Sequence, residues 1–128
     1  MRCLSDYMED AQTKLFQDTG TFFAFSHQQF KSKAVEGVSY CSLDGGMFCP
    51  NDKAQELIEG LESIYKAGIK QDIEENGIDA IIERELYNHE CFYTWETDDV
   101  IEKLEDYGIT TEQINAKFRE LAAQQQQD

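Results

Sequence analysis

Basic side chains are scarce in this 128-residue chain: 11 Lys and Arg stand against 26 Asp and Glu, for a formal net charge of −15. A surface of that sign is repelled by phosphate backbones and by anionic lipid, so neither direct nucleic-acid binding nor membrane binding is expected. Proline is nearly absent, with Pro50 alone, which favours regular elements joined by short turns. No apolar run reaches transmembrane length, and Met1-Arg2-Cys3-Leu4-Ser5-Asp6 offers no signal-peptide core. The expectation is a cytoplasmic protein whose four cysteines, Cys3, Cys41, Cys49 and Cys91, stay reduced.

The motifs of common chemistries are missing as well. There is no G-x-S-x-G, H-E-x-x-H or EF-hand loop, and Asp44-Gly45-Gly46 does not lead into a Walker lysine and helix. Structural zinc uses close pairs such as C-x2-C, and the cysteines here form none, so a Cys3His set from Cys41, Cys49, His89 and Cys91 is not expected. A Cys91 nucleophile paired with His27 or His89 would need electropositive surroundings, and these are acidic. No enzyme activity, cofactor or metal is expected.

What is present is periodic. Leu4, Tyr7, Met8, Ala11 and Leu15 make one helical stripe, capped by Ser5 or a neighbour and stopped at Gly20. Thr21 to Phe25 reads as a short buried strand, and Ser26-His27-Gln28-Gln29 as a capping box. Val38–Leu43 and Met47–Cys49 flank Asp44-Gly45-Gly46 as a hairpin that Pro50 stops. Ala54, Leu57, Ile58, Leu61, Ile64 and Tyr65 predict a long helix over about residues 53–75, closed by a Schellman turn at Gly77. A helix from Asp79 to about Glu90 is followed by Phe92-Tyr93-Thr94-Trp95, read as a short strand or packed loop. Thr97 opens the next helix, which ends at Gly108, and Thr110-Thr111-Glu112-Gln113 caps the last. The sum is one α+β domain over residues 1–123, mostly helical with one small antiparallel hairpin or sheet, and a disordered polar tail over 124–128.

The placement of acid carries the functional expectation. From Asp72 to Asp106 there are thirteen acidic residues and two basic ones, Arg84 and Lys103. One reading is a solvated face that keeps the protein soluble. The other is a binding surface made of Asp72, Glu74, Glu75, Asp79, Glu83, Glu96, Asp98, Asp99, Glu102, Glu105 and Asp106. Its carboxylates would imitate phosphates and dock on a basic protein surface. A DNA-binding helix-turn-helix over Leu104–Leu121 is disfavoured, because Asp98, Asp99, Glu102, Glu105 and Asp106 precede its turn. From another class comes a small-ligand binder or enzyme with a pocket of Gln29, Asn88, His89, Glu90 and Tyr93. On its helix, however, His89 extends the stripe of Ile82 and Leu86, the position of a core or helix-end histidine. A structural or regulatory subunit is the third option.

Four segments carry a resemblance: Phe23-Ala24-Phe25-Ser26-His27-Gln28-Gln29-Phe30, Gly45 to Pro50, Glu85 to Thr94, and Leu104 to Thr110. With F-x-F-S-x-x-Q-F and N-H-E-x-x-Y-T as its most specific elements, the chain resembles a family of short, uncharacterised acidic proteins encoded by bacteriophages and related mobile elements. The resemblance implies a genomic context rather than a mechanism. By analogy with anti-restriction and anti-CRISPR proteins that mimic DNA, it implies an accessory factor in the bacterial cytoplasm. Its partner would be a basic host protein, such as a nuclease, polymerase or defence complex.

Overall fold

A computed structural model describes residues 1–126. Among these residues seven α-helices and a three-stranded antiparallel sheet make an α+β fold, 74% helical, the class the periodicities predict. The described residues divide into two compact units, residues 2–68 and residues 69–126 with Met1.

The first unit opens with α1 (Leu4–Thr19), whose N-cap is Cys3: the Cys3 N–H donates to the Asp6 carboxylate at 2.8 Å. The helix stops at Gly20, whose φ of 75° is the left-handed conformation the sequence predicts there. The sheet has the order β1-β3-β2, from β1 (Phe22–Phe23), β2 (Tyr40–Leu43) and β3 (Met47–Pro50). Pro50 does not stop the ladder short but forms its last rung, opposite Tyr40. An end position suits proline, because a missing N–H matters least there. The hairpin turn uses Gly45 and Gly46 at φ of 76° and 80°, as expected of its glycines.

Thr21–Phe25 is not a buried strand. Only two of its residues pair, Ala24 alone is buried, and Phe25 is 77% exposed. The chain turns away at Ser26, whose hydroxyl accepts from the Gln29 N–H (3.1 Å) while Gln29 Oε1 accepts from the Phe25 N–H (2.7 Å). That box starts α2 (His27–Lys33) and sets Phe30 among Phe22, Tyr40 and Phe48, with ring centroids 4.8–5.8 Å apart. The start of α3 (Ala54–Asn76) packs against α1 at two glycines: a Cβ at Gly60 would lie 2.7 Å from the Leu15 methyls, and one at Gly68 2.8 Å from Met8 Cγ.

The second unit holds the end of α3, then α4 (Ile78–Asn88), α5 (Cys91–Thr94), α6 (Asp98–Leu104) and α7 (Thr111–Gln126). Ile81, Ile82, Leu86, Val100, Leu104 and Ile114 are its dry centre. Gly77 is no Schellman cap. Its φ of 82° is paired with ψ of 157°, so it leaves α3 and serves at once as the N-cap of α4. The same device is present where it is expected at Gly108, with φ of 75° and a bond from the Ile109 N–H to the Leu104 carbonyl. Gln113 and Thr110 exchange the predicted capping-box bonds at 2.8 and 3.2 Å.

Phe92-Tyr93-Thr94-Trp95 is neither strand nor loop; it runs through α5, a single helical turn anchored by buried Cys91. The expected tail is also corrected. Residues 124–126 continue α7, since alanine and glutamine propagate a helix that packing has already nucleated. Residues 127–128 lie outside the described part. Among the described residues no helix is long and apolar enough to cross a membrane.

Candidate functional site

Two carboxylates of the acidic stretch point inward, and both of its basic residues are spent on them. Asp72 and Glu85 are fully buried. Arg84 grips Asp72 bidentately, with Nη1–Oδ1 at 2.8 Å and Nη2–Oδ2 at 2.9 Å, and its Nε donates to Glu85 Oε1 at 2.9 Å. Asn76 and Tyr107 complete the shell of Asp72 at 2.8 and 2.6 Å. Glu85 Oε2 lies 2.9 Å from the Lys103 ammonium and 3.5 Å from His89 Nε2. Its approach to Lys103 is not aligned for a hydrogen bond, which leaves a Coulombic contact. Burial pushes the Asp72 carboxyl up, but the bonds from Arg84, Tyr107 and Asn76 and the Arg84 charge outweigh it and hold the pKa below the ordinary value. Burial pulls Arg84 down, yet its two carboxylate partners raise it overall. Burial and the Asp72 charge hold the Tyr107 hydroxyl protonated well above its usual range.

Asp72 therefore does not belong to the acidic surface. It is an internal counter-ion that ties α3 to α4 and to the turn after α6. Of the remaining surface set, Glu83 is half-buried, while Glu74, Glu75, Asp79, Glu96, Asp98, Asp99, Glu102, Glu105 and Asp106 are exposed. The segment's two cations balance its two buried carboxylates, so its net charge of −11 falls on the other eleven acidic residues.

The pocket expected from Gln29, Asn88, His89, Glu90 and Tyr93 is dispersed. Gln29 lies in the first unit and is committed to the α2 capping box. Asn88 is exposed, and His89 turns to Glu85, beside a small cleft of about 100 Å³ with Cys91, Thr94, Glu96, Asp98 and Asp99. Burial and the nearby Asp99 charge raise the Cys91 thiol, which keeps it protonated and poorly nucleophilic at neutral pH. Among the described residues no cluster of three or more His, Cys, Asp or Glu side chains could hold a metal ion; Cys41 and Cys49 lie in the first unit, His89 and Cys91 in the second.

Glu90 and Tyr93 do share a cavity, but with Tyr87 and Phe92, about 270 Å³ in volume. The backbone makes it. Glu90 and Trp95, on either side of α5, are the non-glycine residues with positive φ among the described residues, at 55° and 62°. This tight double turn leaves Tyr87 50%, Tyr93 88% and Trp95 61% exposed. Phe92 packs between Tyr87 (4.9 Å) and Phe118 (5.2 Å), and Trp95 meets Phe118 edge-on at 5.6 Å. Phe92 and Trp95 belong to a run so short and aromatic that it signals a core, and the two left-handed residues flank it; Tyr87, on α4, carries no such signal in the sequence.

A family model spans residues 4–126, nearly the whole chain. The chain belongs to DUF7659, a family of unknown function. No curated protein and no solved structure matches it. The features of this DUF7659 chain that offer a function are the acidic face and the aromatic cavity of the second unit.

Proposed function

We propose that the protein is a binding factor that docks the exposed carboxylates of residues 74–106 on a basic surface of another protein. The observation that carries this reading is the pairing of Arg84 and Lys103: Arg84 is buried against Asp72 and Glu85, and the part-exposed Lys103 is held 2.9 Å from Glu85, so the segment's outward charge is strongly negative. Helix-borne carboxylates can engage the same Lys and Arg side chains that hold phosphates. The partner class is thus a nucleic-acid-binding protein, such as a host nuclease, polymerase or defence complex. An accessory role in a phage or mobile element, carried out in the bacterial cytoplasm, fits that chemistry. The alternative, a small-ligand or catalytic site at Asn88, His89 and Glu90, has less support, because these side chains serve different surroundings.

The test is a pull-down from bacterial lysate with a salt step, followed by a competition assay between the protein and duplex DNA for each captured partner. The variant Asp98→Asn, Asp99→Asn, Glu102→Gln, Glu105→Gln should stay folded and bind about tenfold more weakly or worse, with a shallower salt dependence. Unchanged partner binding by that variant would reduce the acidic face to a solvated surface.

A further inference from the structure

We infer that the cavity between α4 and α5 is an arginine site: Tyr87, Phe92 and Tyr93 supply aromatic walls and Glu90 the carboxylate for one guanidinium group of the basic partner. The inference rests on the reading of the second unit as a docking surface for a basic protein and names the side chain it captures.

Three aromatic residues and one glutamate line about 270 Å³, an unusual lining for a strongly acidic surface. Ring faces carry partial negative charge and attract cations, and the attraction grows where water is displaced. A planar guanidinium can stack on a ring and present its edge to a carboxylate in paired hydrogen bonds. An ammonium satisfies the charge but offers neither the plane nor the fork. Acidic residues near the cavity in sequence, Glu83, Glu96, Asp98 and Asp99 among them, add an attractive field for the same cation. The ring positions are supported from beneath, since Phe92 stacks on Phe118 and Tyr87 also receives a 3.4 Å contact from Gln125 Nε2.

The backbone supplies a clean variant. Glu90 sits at φ of 55°, where glycine is at ease and a glutamate is not. Glu90→Gly thus removes the carboxylate while relaxing the turn, so lost binding cannot be blamed on a lost fold. Trp95, the only tryptophan, joins the same ring cluster through Phe118 and gives a fluorescence signal for occupancy.

The experiment compares an arginine-rich peptide with its lysine counterpart, equal in length and charge, by calorimetry and by Trp95 fluorescence. Wild-type protein should bind the arginine peptide about tenfold more tightly. Glu90→Gly and Tyr93→Ala should each reduce that preference to near one while leaving the weaker, salt-dependent binding common to both peptides. The four-site variant of α6 and the residue after it should do the reverse, lowering affinity for both peptides and keeping the arginine preference. Equal affinity of wild type for the two peptides, or a preference that survives Tyr93→Ala, overturns the arginine site while sparing the acidic face. Failure of both peptides to bind wild type at low salt overturns both.

Discussion

The Tyr107 hydroxyl donates to Asp72 Oδ2 at 2.6 Å, joining residues 35 apart in the chain. With Arg84 on the other side of the carboxylate, this bond makes a buried charge acceptable inside a helical unit. Tyr107→Phe removes one donor and leaves the ion pair, so a loss of roughly 1–3 kcal/mol is expected in urea unfolding. Asp72→Asn takes away the carboxylate that Arg84 grips bidentately, leaves the arginine with Glu85 alone, and should cost more, about 3–5 kcal/mol. A Tyr107→Phe protein as stable as wild type would show that the bond contributes nothing net.

This network marks the boundary of what the sequence discloses. Helices written in 3.6-residue stripes and ended by Gly20 or Gly108 are legible, because local backbone energetics decide them. Asp72 is not, since its heptad surroundings look like any acidic helix face and its inward turn depends on Arg84 and Tyr107, twelve and 35 residues away. Phe92–Trp95 fails for the opposite reason. Its composition suggests a core strand, yet two positive-φ residues that no propensity favours fold it into an exposed turn. Of the expected acidic set, Asp72 is buried and Glu83 half-buried while the others are exposed, and the cavity is legible only through Glu90 and Tyr93.

Acid and alkali should each unlock the network at a different limb. Asp72 is held below its ordinary 3.8, so the unfolded chain takes up that proton more readily. Its stabilisation is complete above 3.8 and lost as pH falls through the lower folded value. Tyr107 is raised above its ordinary 10.0, so its contribution is complete below 10.0 and lost as pH rises through the higher folded value. Urea titrations across pH should show a loss of stability below 3.8 that Asp72→Asn flattens. An identical acid slope in that variant would remove Asp72 as the cause.

Ionic strength acts on the surface instead. Raising salt from about 20 to about 300 mM shortens the Debye length from about 20 Å to about 6 Å, which screens repulsion among like charges. With −15 in all, the melting temperature should rise over that range, and also on mild acidification towards about pH 5. A flat or falling curve would mean that the exposed carboxylates are already compensated.

Adjacent residues on α6 separate the two uses of charge most sharply. Lys103 reaches inward to Glu85 Oε2 at 2.9 Å, whereas Glu102 is exposed. Lys103→Gln keeps a long polar side chain but removes the ammonium beside Glu85 Oε2, leaving Arg84 on Oε1 and His89 Nε2 at 3.5 Å from Oε2. A loss of roughly 0.5–1 kcal/mol should follow, because Lys103 is part-exposed and its contact is Coulombic. The same substitution also makes the protein more negative, so a purely global charge effect would predict destabilisation too. Glu102→Gln, measured beside it, resolves this, because it changes net charge by one unit the other way without touching Glu85. If the internal pair matters, Lys103→Gln should stay destabilised at high salt while the small gain from Glu102→Gln fades. Should salt erase both effects equally, Lys103 acts only through net charge, and the division between an internal network and an outward acidic face would not hold.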